Sequence, residues 1–98
     1  MNTTNFKEFE SSALAQGFDA ALERQWEPNV VVADHVHPFA AKAVVVQGEM
    51  WLTVGSDTRH LRAGDGFELE AQVLHSERYG REGATYWVAR RNAAAVVR

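Results

Sequence analysis

His35 and His37, in Asp34-His35-Val36-His37-Pro38, are separated by one residue, a spacing that turns both imidazoles to one face of an extended strand. A third histidine, His75, stands in a second strand-like stretch, Leu74-His75-Ser76, and the Gly- and Asp-rich turns between the two allow the chain to fold back and bring all three together. Three converging imidazoles are a donor set for one divalent transition metal. Ligand type alone leaves Zn, Ni, Fe, Cu and Mn open. Three protein ligands also leave coordination positions free, as catalytic rather than structural sites do. Neutral imidazoles do not offset the charge of the ion, which favours an anionic ligand and acidifies a bound water.

Strand parity adds candidates around the trio. If His75 looks inward, Val73, Glu77 and Tyr79 share its face, provided no bulge breaks the register. Glu77 is the candidate catalytic residue, open to three roles: metal ligand, partner that orients His75, or general base. The competing reading is a residue near the barrel mouth that is solvated or that pairs with Arg78 or Arg81. Tyr79 and Gln47 are candidate ligand contacts, with packing as the alternative for each. Val31, Ala33, His35 and His37 form a second expected inward row, and Ala41, Ala43, Val45 and Gln47 a third. His60 reads as a hydrogen-bonded packing residue, Trp26, Trp51 and Trp87 as core or interface residues, and Asp34 as a surface residue.

The elements that must position these side chains are short and mostly extended. Phe6, Phe9, Ala13 and Leu14 recur at helical spacing, with Asn5 as cap and Gly17 at the carboxyl end, which predicts a helix over about residues 5–17 that closes a barrel end or meets a partner. From about residue 20 the pattern changes to strands: Leu22–Glu27, Val30–His35, Lys42–Gln47, Glu49–Val54 and others, roughly eight in all. Turns are expected at Pro28-Asn29, at Gly48, at Gly55-Ser56-Asp57, at Ala63–Gly66 and at Gly80–Gly83. The tail from Asn92 has weak signals and either frays or extends the last strand.

Composition narrows the class. At 98 residues the chain is expected to form one domain, and its 46% hydrophobic and 23% charged residues are those of a soluble globular protein. No apolar run approaches the roughly 20 residues of a membrane span. The amino terminus has neither a basic nor an apolar leader region, so the cytoplasm is the expected location. The chain has no cysteine, so disulfides and thiolate ligands are excluded and any metal falls to histidine and carboxylate. A net charge of −3 with scattered arginines argues against a nucleic-acid partner. The expected partner is a small molecule.

These residues resemble the motifs of small single-domain cupins of the RmlC-like superfamily over about residues 20–91. The first family motif is a glycine, five residues, His-x-His, three or four residues, a glutamate, six residues and a glycine. The second is a glycine, five residues, Pro-x-Gly, two residues, His, three residues and Asn. His35, His37 and Gly48 fit the first, and Gly64 and His75 the second. Asn29 stands in place of the opening glycine, Glu70 and Gln72 in place of the Pro and Gly, and Tyr79 in place of the Asn. The glutamate is missing: its place falls on Ala41 or, at the longer spacing, on Lys42, neither of which can ligate a metal.

The resemblance implies an all-β, double-stranded β-helix (jelly-roll) cupin barrel with a short amino-terminal helix, in a homodimer. It further implies a three-histidine variant of the metal site, with dioxygenase-like chemistry on a small anionic or oxygen-rich molecule as one reading. A non-enzymatic binding or sensing module, with or without metal, is the alternative. A structural dimerisation unit is a third.

Overall fold

Asn5 caps the first element through its Oδ1, which accepts from the Glu8 backbone N–H at 2.9 Å, and in this computed structural model, which describes residues 5–92, helix α1 runs Phe6–Ala15. Gln16 caps its carboxyl end, and Gly17 follows with a φ of 96° that suits a residue without Cβ. Phe6 and Phe9 each place their rings 5.8 Å from Trp87, and Ala13 is buried. Leu14, expected on the same stripe, is 49% exposed, because it lies one helical step past the line through Phe6, Phe9 and Ala13. The helix therefore covers the outer face of the last strand instead of closing a barrel end. Among the described residues no helix is long and apolar enough to cross a membrane.

Six strands follow: β1 Ala20–Trp26, β2 Val31–His35, β3 Phe39–Val54, β4 Asp57–Arg62, β5 Gly66–Leu69 and β6 His75–Asn92. All pairings are antiparallel. The first half of β6 pairs with β2 and with the second half of β3, which also pairs with β4. The second half of β6 pairs with β1 and with the first half of β3, which also pairs with β5. Two bent strands thus serve both walls of a jelly roll, and the six strands supply eight strand segments. Residues 93–98, most of the expected tail, lie outside the described residues; Asn92 ends β6.

Two expected turns are instead bends inside continuous strands. Between the pairs Gly48↔Ala84 and Met50↔Tyr79 the register shifts, so that Gly80–Gly83 bulges out of β6 without ending it. Gly48 and Gly83 have φ of 79° and 72°, and a Cβ on Gly48 would lie 2.2 Å from the Gly83 carbonyl oxygen. Backbone approach at that distance is open only to glycine. The turns at Gly55-Ser56 and around Gly64 form as the sequence predicts.

Between the walls lie Val45, Met50, Leu61 and Tyr79, the largest fully buried side chains. Burial of each of the three aliphatic side chains is worth about 2 kcal/mol. Trp26 stacks on Tyr79 at 4.9 Å and 12°, in keeping with a core role.

Candidate metal centre

His35 ends β2, His75 begins β6, and the two are direct register partners. The expected inward row on β2 needs correction. Val31 is 69% exposed, whereas Val30 and Val32 pack on the core. One extra residue on β2 between Val32 and His35, opposite Glu77 and His75, is a bulge that reverses parity and brings His35 inward. His37 follows in the β2–β3 connection, its ring stacked on Phe39 at 4.7 Å and 11°. The Gln72 backbone N–H donates to the His37 carbonyl at 2.7 Å and ties that connection to the segment leading into His75.

The three rings converge, with centroids 4.8 Å apart for His35 and His37, 4.2 Å for His35 and His75, and 5.1 Å for His37 and His75. His35 Nδ1 lies 2.7 Å from the Ala33 carbonyl and His75 Nδ1 2.9 Å from the Val73 carbonyl. A carbonyl only accepts, so each Nδ1 carries the proton and each Nε2 keeps its lone pair. One nitrogen from each ring lies within 4.8 Å of the others. Metal–nitrogen bonds of about 2.0–2.1 Å hold two donors no more than about 4.2 Å apart, so small ring rotations complete the fit. Burial, then the facing His75 and His35, holds His37 below its ordinary pKa, which keeps it neutral and able to ligate.

Glu77 is buried at 8% exposure, its Oε2 3.5 Å from His35 Nε2 and 3.4 Å from His75 Nε2. Tyr79 OH donates to Glu77 Oε1. Glu77 is neither solvated nor paired with Arg78 or Arg81. Tyr79 is fully buried behind Glu77 and reaches the histidines only through it. Burial, with Tyr86 and Glu77 adding to it, pushes the Tyr79 phenol far above its usual range, so it remains a donor. Tyr86 is raised as well, by burial and then by the Glu77 charge.

Gln47 falls outside this site. It is exposed, beyond a register shift after Val45 that turns it from the row of Ala41, Ala43 and Val45. Lys42 points away from the interior, its Nζ donating to Gln16 Oε1 on the helix at 3.5 Å. The place of the missing acid is therefore Ala41, which is buried and lines the cavity with His37, His75 and Glu77. His60 lies apart from the trio, 2.7 Å from Glu49 Oε1 and stacked on Trp51 at 4.4 Å. Asp34 is exposed.

Two residues of the cavity, Arg24 and Arg90, were not among the expected site residues. Their signal was parity: Leu22, Arg24 and Trp26 alternate on one face of β1, and Tyr86, Val88 and Arg90 on one face of β6.

Asn29 and Gln72 account for two motif departures. They take φ of 62° and 66°, the left-handed conformation that glycine would adopt at those places. Residues 17–95 match the sequence profile of the AraC-like ligand-binding domain, a cupin-type domain. The chain belongs to that family. No relative among curated proteins matches this cupin domain. Among solved structures it is similar to the DMSP lyase DddQ from Ruegeria pomeroyi DSS-3, at 20% identity and a TM-score of 0.70 over 80% of this chain and 40% of that one. It is similar to KdgF from Halomonas sp., at 18% identity and a TM-score of 0.68 over 78% and 71% of the two chains. An RmlC-like cupin from Shewanella frigidimarina NCIMB 400 aligns at 22% identity and a TM-score of 0.65, over 80% and 70%. The cupin domain spans 38% to 40% of the DMSP lyase chains it matches. These likenesses bear on the fold, an all-β jelly-roll cupin barrel.

Proposed function

We propose that His35, His37 and His75 hold one divalent transition metal through ring nitrogens and that this centre binds a small anionic or oxygen-rich molecule inside the barrel. The observation that carries the reading is the hydrogen bonding of His35 and His75: both Nδ1 protons are committed to backbone carbonyls, so both Nε2 lone pairs are directed toward one point. Zn, Ni, Fe, Cu and Mn all suit the donors. A bound ion would supply Lewis acidity and an acidified water. Glu77, beside two of the imidazoles and anchored by Tyr79, is the residue to accept or return a proton at its Oε2. That arrangement suits a metal-dependent enzyme of dioxygenase-like or hydrolytic type.

A second reading, a non-enzymatic binding or sensing module, is favoured by the family match to a ligand-binding domain. Elemental analysis tests the shared premise. Protein purified without a metal-affinity tag and then exposed to zinc or nickel is expected to retain one ion per chain, and His75→Ala to lose it. Absence of stoichiometric metal in the wild type would sink the metal centre. Glu77→Gln then separates the readings: turnover lost with ligand binding intact supports the enzyme, whereas ligand-induced thermal shifts without turnover in the wild type support the sensor.

A further inference from the structure

Arginine is uncommon on the inward face of a small barrel, and this barrel has one on each of two paired strands. Arg24 lies on β1 between Leu22 and Trp26, opposite Tyr86 of β6. Arg90 lies on β6 two residues beyond Val88, opposite Ala41 of β3. Both side chains line the cavity that holds His37, His75 and Glu77.

Both arginines are half-buried, and a guanidinium partly withdrawn from water calls for a counter-charge and hydrogen-bond acceptors. Among the described residues neither arginine has a carboxylate within 4.0 Å; Glu77 is engaged by Tyr79 and lies beside His35 and His75 instead. Arg90 Nε is buried without a hydrogen-bond partner. Arg90 Cζ sits 4.5 Å from the Phe39 ring centroid and Arg24 Cζ 4.9 Å from that of Trp26. Those aromatic faces hold the guanidinium groups in place but offer no acceptor. The methyl group of Ala41 stands opposite Arg90, and no acid among the described residues pairs with that guanidinium.

We propose that Arg90 and Arg24 form a carboxylate subsite, so that the molecule bound at the histidine centre is a small organic acid. Its carboxylate meets the guanidinium groups in the room beside Ala41. Its carbon chain lies against Phe39, Phe67, Leu69 and Val88, which form apolar walls of the same cavity. The cavity volume of about 40 Å³, little more than one water's share of the liquid, takes the carboxylate group, and the short chain reaches out along the half-buried Phe39 and Leu69. Inorganic phosphate would satisfy the arginines and leave the apolar walls without a partner. The assignment deepens the proposed function and rests on it for the role of the histidines.

Calorimetric titration of the zinc-loaded full chain with propionate, its neutral isostere propionamide and inorganic phosphate tests the subsite. Propionate is expected to bind at least tenfold tighter than propionamide and than phosphate. Arg90→Gln is expected to lose at least tenfold in propionate affinity with zinc stoichiometry unchanged, and Arg90→Lys to recover part of it. Equal binding of propionate and propionamide, phosphate binding as tight as propionate, or an Arg90→Gln protein with wild-type propionate affinity would each overturn the subsite. Should Arg90→Gln fail to fold, the comparison of the two isosteres on the wild type decides. Zinc uptake is measured separately. Zinc bound with no preference for propionate removes the subsite and leaves the metal centre. Arginine-dependent propionate binding by a chain that takes up no zinc removes the metal centre and leaves the subsite.

Discussion

Ala41 and Arg90 face each other across the β3–β6 pair, both on the cavity side, with the smallest apolar side chain set against a guanidinium. Direct cross-strand neighbours on one face place their Cβ atoms about 5 Å apart, within ion-pairing reach of longer side chains. The position where related motifs carry an acid is therefore adjacent to a cation that has no carboxylate partner among the described residues.

Ala41→Glu tests that relationship. The new carboxylate is expected to pair with Arg90 and approach the histidines, raising metal affinity by tenfold or more. The same side chain fills the cavity, so propionate binding is expected to fall by a similar factor. Metal competition with a chromophoric chelator and calorimetry read the two effects.

Backbone conformation supplies an opposed pair of substitutions. Gln72 has φ of 66°, a conformation that costs a side-chain-bearing residue about 1–2 kcal/mol. Gln72→Gly removes that strain against a backbone-entropy cost of about 0.5–1 kcal/mol, so a net gain of up to about 1 kcal/mol in urea unfolding is expected. Gly48→Ala is expected to go the other way, by about 2–4 kcal/mol, since its Cβ would meet the Gly83 carbonyl at 2.2 Å. Gly83 and Ala84 must shift to relieve it.

Tyr79→Phe removes the hydroxyl that donates to Glu77 Oε1 while keeping the stack on Trp26. A buried carboxylate oxygen left without its donor costs about 1–3 kcal/mol. Stability is expected to fall by that amount in urea unfolding.

The pH dependence of the metal-free protein follows from two groups. His37 has a folded pKa below its ordinary 6.5, so the unfolded chain binds more protons and stability falls as pH drops below about 6.5 through the folded value. Tyr79 has a folded pKa raised above 10.0, so the folded chain holds the proton longer and stability falls as pH rises above about 10. Thermal midpoints between these limits are expected to form a plateau. His37→Gln is expected to flatten the acid limb and Tyr79→Phe the alkaline limb.

Much of this arrangement was legible in the residues. Spacing and parity placed His35, His37 and His75 together and put Glu77 and Tyr79 on the face of His75, because β6 keeps its register from His75 to Tyr79. Val31 was misplaced because a bulge is a pairing event between strands, and β2 alone carries no sign of the extra residue before His35. Gly48 and Gly80–Gly83 looked like turns because glycine marks any departure from extended geometry. Only the close approach of Gly48 to Gly83 shows that the chain bends while its pairing continues. Arg24 and Arg90 could be read from alternation once the inward rows were known. Their significance depended on cross-strand register and on the absence of an acid beside Ala41, which are properties of the fold.

The central claim is that three imidazoles share one ion, and anomalous scattering from crystals of zinc-loaded protein tests it most directly. A single peak above the zinc edge, about 2.0–2.1 Å from one ring nitrogen each of His35, His37 and His75, is the expected result. A barrel without a peak, or a peak at the His60–Glu49 pair alone, would contradict it.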